Sequence, residues 1–214
     1  MTTETTRQLR YAAQKWEDEA GYPSAVLSGI VPDAAHLARG GPHVSIEDLR
    51  LHGNYPDYST PDPLGRPPAV VNLKAAAAID MSVSRADMVK SHGRVYRVWL
   101  DPTDPRRRYV NAINVWDGVP GNLPDRFNFQ TGERTKTDRS HEWHCHADFV
   151  RSRWDEQSVG RDVADRAARA FVSLISGESR QTWIDREGPA IAGEEAMEAF
   201  GLTGHLGDGR RTAR

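Results

Sequence analysis

Between Thr5 and Ala20, the apolar positions Leu9, Ala12, Ala13 and Trp16 recur at helical spacing, and Gly21 with Pro23 ends the run. An amphipathic helix is predicted there. The same period returns at Val163, Ala167, Phe171 and Leu174, which predicts a helix over 161–176, with a shorter helix at "SRQTWIDRE" after Gly177. "RADMVKSHG" also reads as helix. "AVLSGIV" (25–31) reads as a short buried strand, while "RVYRVWL" (94–100) and "YVNAINVW" (109–116) alternate like strands. "AVVNLKAAAAIDMSV" (69–83) splits into a turn-like portion around Leu73–Ala76 and a strand over 77–83. Residues 32–68 are rich in Gly, Pro, Asp and His, with a helical turn expected at "SIEDLRLHG". The stretch 44–68 is expected to form a mobile excursion over a site mouth. Strands adjacent in sequence between flanking helices predict an α+β domain on a mainly antiparallel sheet. The expected division is an N-terminal helix (1–20), one central domain (21–177), and a C-terminal helix with a flexible tail (178–214).

"HEWHCHADFV" (141–150) alternates strictly without a breaker and is expected to be a strand throughout. On a strand, residues two apart share a face. Glu142, His144, His146 and Asp148 then point one way, and Trp143, Cys145, Ala147 and Phe149 point towards a core. The two imidazoles stand ~7 Å apart along the strand at ~3.3 Å per residue. His141 falls on the opposite face of an ideal strand, at its start. Two histidines at this spacing can meet one metal, or one can bind metal while the other serves the substrate. A solvated polar face with incidental histidines is the competing reading.

Composition narrows the function classes. Of 28 basic residues, 24 are arginine, against 30 acidic residues, for a formal net charge of −2. Such a balance gives no general attraction to nucleic acid or to an anionic membrane. No run of 18 apolar residues is present, so no membrane span is expected. The N-terminal segment lacks the 7–15-residue apolar core of a secretory signal, which predicts synthesis in the cytoplasm. Cys145 is the single cysteine and is expected in the core. His36 is expected to be structural, His52, His92 and His205 exposed, "DPRRR" (104–108) a solvated basic cluster, and Trp99, Trp116 and Trp143 core residues of strands.

The form H-x-x-H-x-H in "HEWHCH" resembles the superfamily of D-Ala-D-Ala metallopeptidases, lysostaphin-type peptidases and hedgehog domains. Two further segments resemble the same plan in the same order. "VLSGIVPDAAHLARGGPH" is similar to the segment leading from a Ser-Gly strand end to a first zinc-binding histidine, here His43, and "AAAAIDMS" to the short strand bearing the zinc-binding aspartate, here Asp80. The arrangement is most similar to compact versions encoded among tail and lysis genes of actinobacterial phages. The likeness spans roughly residues 20–177. The pattern departs from the superfamily in three places. The first histidine usually stands seven residues before the aspartate, but position 73 is Leu and His43 lies 37 residues upstream. Either the intervening segment is an insertion that returns His43 to the same point, or a ligand has been lost. His141 occupies the place where carboxypeptidase relatives carry a glutamate base. Ile30 and Val31 stand where an arginine is usual, with Arg39 a possible substitute.

The resemblance implies a single zinc-peptidase-like domain with zinc held by His43, Asp80 and His146. A catalytic zinc takes three protein ligands and keeps one position open for water. His144 would then be the acid–base or oxyanion partner, with His141 orienting it. An alternative assigns His144 as the ligand and His141 or Glu142 as the base. The implied activity is hydrolysis of peptide bonds in peptidoglycan stem peptides or crosslinks, by a lysin or a tail-associated hydrolase made in the host cytoplasm. A non-catalytic tail or virion structural protein that retains the fold is the alternative, as is a metal-binding module that recognises a wall peptide without cutting it.

Overall fold

A computed structural model of the chain describes residues 3–30, 38, 42–51, 74–154 and 156–199. Helix α1 (Arg7–Asp18) is capped by Thr6, whose side chain accepts from the Leu9 amide. Strand β1 (Val26–Gly29), helix α2 (Ile46–Leu51) and strand β2 (Ala78–Ser82) follow. Next come helix α3 (Arg85–Leu100), a 3-10 turn (Pro105–Tyr109), and strands β3 (Val110–Val115), β4 (Asp125–Asn128) and β5 (Arg134–Lys136). A second 3-10 turn (Arg139–Glu142) leads into β6 (His144–Phe149), and four helices close the order: α4 (Arg151–Trp154), α5 (Glu156–Val159), α6 (Arg161–Ser176) and α7 (Arg180–Ala199). The architecture is α+β. Its six strands run antiparallel in the order β1-β2-β6-β3-β4-β5, so the last strand in sequence lies at the centre.

Alternation along these strands separates a core from a polar face. Ile79 and Met81 of β2, Ile113 and Val115 of β3, Phe127 of β4, and Cys145, Ala147 and Phe149 of β6 join one apolar cluster. Met88 and Val95 of α3 and Phe171 and Leu174 of α6 complete it from the helical layer. Leu9 and Trp16 of α1 and Trp183 and Ile191 of α7 belong to the same cluster, so both terminal helices share the central core. Phe171 is the junction: its ring lies edge-on to Trp16 at 5.2 Å and to Phe149 at 4.9 Å between centroids. Gly177 ends α6 in the left-handed region at φ 79°, which side chains with a Cβ rarely adopt.

Several elements differ from their sequence patterns. Residues 94–100 are the second half of α3, not a strand. Ser84 caps that helix by accepting from the Asp87 amide, and Val95 with Val98 and Tyr96 with Trp99 satisfy the i, i+3 period as well as alternation. Tyr96 and Trp99 stack at 5.9 Å, and Gly93 is accommodated inside the helix. Strand β1 is an edge, with Val26 60% exposed, so "AVLSGIV" is not a buried strand. The hairpin β4–β5 has no strong apolar alternation to announce it, because β5 is exposed throughout. The C-terminal helix runs 20 residues and passes through Pro189, well beyond "SRQTWIDRE". In "DPRRR", Arg106 is buried against Asp104 and is not solvated surface. His92 is likewise half-buried, 2.9 Å from Asp125. The start of the expected 44–68 excursion is packed, since Val44 and Leu49 are fully buried. The rest of that excursion, His36, Arg39, His52, Leu73, His205 and the C-terminal tail lie outside the described residues.

Phe171→Ala is expected to remove a junction of three elements and lower stability by about 3–5 kcal/mol, the usual cost of deleting a buried phenyl group. Urea unfolding followed by circular dichroism measures it. A loss below about 1 kcal/mol would show that the helical layer is not anchored at this ring.

Candidate metal centre

The polar face of the sheet carries a row of residues in register: Gly29, Asp80, His146, Asn114, Arg126 and Thr135, one from each strand. His144 stands two residues from His146, paired with Ser82, and Asp148 stands two residues the other way, paired with Ala78 on one side and Ala112 on the other. His43 comes from the loop before α2. Three segments thus meet at one point, and one donor atom each from His43, Asp80 and His146 lies within 4.8 Å of the others. His43 Nε2 is 3.1 Å from His146 Nδ1 and 3.1 Å from Asp80 Oδ2, while His146 Nδ1 is 2.7 Å from Asp80 Oδ1.

The outward nitrogens of both rings are already committed. His43 Nδ1 lies 2.8 Å from the Ile30 carbonyl and must donate to it. His146 Nε2 donates to Asp148 Oδ1. A neutral imidazole has one N–H and one lone pair, so His43 Nε2 and His146 Nδ1 turn lone pairs towards each other and towards the Asp80 carboxylate. Three acceptors facing one point require a cation between them. Either a proton or a metal ion supplies it.

In the absence of a metal, electrostatics favour the proton. Burial alone would lower the His146 pKa, but the charge and hydrogen bonds of Asp148 and Asp80 outweigh it and push it up to about 10. Burial would raise Asp80, yet His146 and His43 hold it far below the usual carboxylate range. Asp148 is likewise held down by His146 and Arg126 against its burial. Tetrahedral zinc with bonds of roughly 2.0–2.1 Å places its donors roughly 3.3–3.4 Å apart. The two contacts of His43, at 3.1 Å, are near that spacing, whereas the 2.7 Å between His146 and Asp80 is a hydrogen-bond distance that a bound ion would have to open.

Around this point a second layer is fixed by hydrogen bonds. Arg126 donates from Nη2 to Asp148 Oδ2 at 2.7 Å and from Nη1 to Asn114 Oδ1 at 3.0 Å. With its oxygen so occupied, Asn114 turns its amide nitrogen to His141 Nε2 at 3.0 Å. His141 is therefore anchored through that nitrogen, and burial together with the neighbouring His146 and His144 pushes its pKa down to about 4. His144 Nε2 lies 3.6 Å from Asp80 Oδ1, and its Nδ1 is buried. Burial lowers the His144 pKa, partly offset by the Asp80 charge.

His43, Asp80, His146 and His144 lie together, and His146 rather than His144 makes the short contacts to His43 and Asp80. Two expectations need correction, the start of the strand and the burial of Trp143. The strand begins at His144, not His141, because Asp138 caps a 3-10 turn over 139–142 through the Ser140 amide. Glu142 accepts from Arg139 at 2.8 Å and takes no part in the cluster's contacts. Trp143 is 55% exposed and lies against the His144 ring at 4.2 Å instead of in the core. Asp148, Asn114 and Arg126 went unassigned in sequence reasoning. The two-residue alternation already puts Asp148 on the histidine face, but only the pairing of β3 and β4 reveals the other two.

A metal must displace the proton that His146 carries in its absence. Its pKa, raised to about 10, means this proton is held throughout the neutral range and is lost only as pH rises through that value. Zinc binding is expected to release about one proton near neutral pH, with affinity rising about tenfold per pH unit. Calorimetry in buffers of different ionisation enthalpy measures it, and a pH-independent affinity would show that His146 is not a ligand. No family model, curated protein or solved structure matches the chain.

Proposed function

We propose that the chain is a zinc-dependent peptidase-like protein, phage-encoded, that acts on peptide bonds of bacterial peptidoglycan as a lysin or tail-associated cell-wall hydrolase. The observation that carries the reading is the convergence of one nitrogen each from His43 and His146 with the Asp80 carboxylate at one point, each ring's other nitrogen being already committed. The ordered resemblance of three segments to the zinc-peptidase superfamily supplies the substrate class.

His43, Asp80 and His146 would hold the ion and leave a position open. Zinc held there would supply a water acidified to a pKa of about 7 and a Lewis acid for a carbonyl oxygen. His144 is the group placed to move protons. Its lowered pKa leaves it neutral at pH 7, so it has a lone pair to take a proton from the attacking water. The imidazolium so formed, 3.6 Å from Asp80 Oδ1, can return that proton to the leaving amine. His141 packs against His144 with ring centroids 4.9 Å apart and, tied to Asn114, limits its swing. Asp148 fixes the tautomer of His146 and keeps its Nδ1 lone pair directed inward, the usual office of a carboxylate behind a metal-bound histidine.

A second reading draws on the same contacts. A proton on His146 satisfies the chain Asp80–His146–Asp148 as completely as a metal does, which suits a non-catalytic virion or tail protein that kept the fold. Metal analysis of the purified protein separates the two, with about one equivalent of zinc expected for the peptidase.

His144→Ala is expected to abolish release of new amino termini from purified peptidoglycan, a loss of about 10²–10⁴-fold, while zinc stays bound. His146→Ala is expected to lose the metal. The opposite pattern would exchange the roles of the two histidines. Intact wild-type walls with zinc in place would favour the structural or recognition reading.

A further inference from the structure

The donor set draws on residues far apart in the chain, 103 positions between His43 and His146 and 66 between Asp80 and His146. Asp80 and His146 are paired by the sheet itself, because their strands are neighbours and the two residues stand opposite each other. His43 has no such support. It sits on a short turn before α2, outside any strand, 37 residues before Asp80. Something else must hold its backbone at the sheet.

Arg151 opens α4, one residue after Val150 and five after His146. It is buried, with 6% exposure. Its Nη2 donates to the carbonyls of Pro42 at 3.2 Å and of Val44 at 2.6 Å, the residues on either side of His43. Its Nη1 donates to the Ala75 carbonyl at 2.7 Å, on the segment that leads into β2. The Ala77 amide adds a bond to the Pro42 carbonyl at 2.7 Å. One planar guanidinium therefore joins the turn of His43 to the approach of Asp80, and it is itself carried by the chain leaving the His146 strand. A lysine offers a single ammonium and cannot reproduce this planar fork.

We propose that Arg151 is the positioning residue of the metal centre, a clamp on the peptide units flanking His43 that delivers this ligand to Asp80 and His146. This rests on the metal reading above. Arg151 touches no donor atom, and it acts only through the placement of the His43 backbone.

The test is a double-mutant cycle on the full chain, with zinc affinity read by competition with a chelating indicator. Arg151→Met is expected to weaken zinc binding about 10–100-fold, the range seen when the supports of a metal ligand are removed. In the His43→Ala background, which binds zinc more weakly, the same substitution is expected to change affinity less than about threefold. Equal losses in both backgrounds would overturn the clamp, since Arg151 would then act on the fold at large. Unchanged affinity in Arg151→Met overturns it too. If that variant does not fold, Arg151→Lys runs the same cycle and must give a smaller coupling of the same sign.

A metal-free measurement decides independently. Long-range ¹H–¹⁵N spectra of the imidazoles are expected to show that His43 loses its fixed tautomer in the Arg151 variant while His146 keeps its own. Unchanged His43 signals overturn the proposal. A wild-type chain that takes up no zinc removes the metal reading, whereas zinc uptake with an additive cycle removes the clamp alone.

Discussion

The site is organised by one imidazole held between the buried Asp148 and the partly buried Asp80. His146 meets Asp80 on one ring nitrogen and Asp148 on the other, at the centre of the sheet. Burying ionised groups is costly unless each finds opposite charge and hydrogen bonds. Two carboxylates in this position cannot be served by one neutral ring, so the surroundings are recruited. Arg126 reaches across from β4 to Asp148, and His43 is brought in from outside the sheet to Asp80. Remove the central ring and both acids lose a principal counter-group. The row from Gly29 to Arg126 is best understood as the answer to this local demand, written one residue per strand.

The same alternation that exposes these groups on one face buries Cys145, Ala147 and Phe149 on the other. Core and site are thus two readings of a single strand. A one-residue slip of β6 against β2 would put an apolar side chain beside Asp80 and send His146 into the helical layer. Packing of Phe149 against Phe171 and Trp154 opposes that slip from the far side of the sheet. Placing the donors is accordingly a job for hydrophobic contacts that never touch them.

Much of this was legible along the chain. The helix period of Leu9 to Trp16 and of Val163 to Leu174 marks α1 and α6, and strict alternation marks β6 and assigns His144, His146 and Asp148 to a shared face. What failed did so for identifiable reasons. "RVYRVWL" satisfies periods of both two and three, and the N-terminal cap on Ser84, ten residues upstream of Arg94, settled the conflict in favour of helix. His141 leaves the strand because Asp138 caps a tight turn, a local bond that outweighs alternation. Asn114 and Arg126 join the network only through the pairing of β3 with its neighbours, and Arg151 only through carbonyls that any residue could offer. No one-dimensional pattern records such partners.

Strand β6 is the last of the six to be synthesised and the one that ends up in the middle. Until it arrives, β2 and β3 each lack the neighbour that both will pair with. Unpaired edges of this kind invite pairing with other chains. Insertion of β6 satisfies both edges in one event, and the chain that follows it supplies Arg151 and then α6 to cover the joint. The centre of the molecule is therefore a keystone set after its arch, and a chain halted before residue 144 would lack both the strand that joins β2 to β3 and His146 itself.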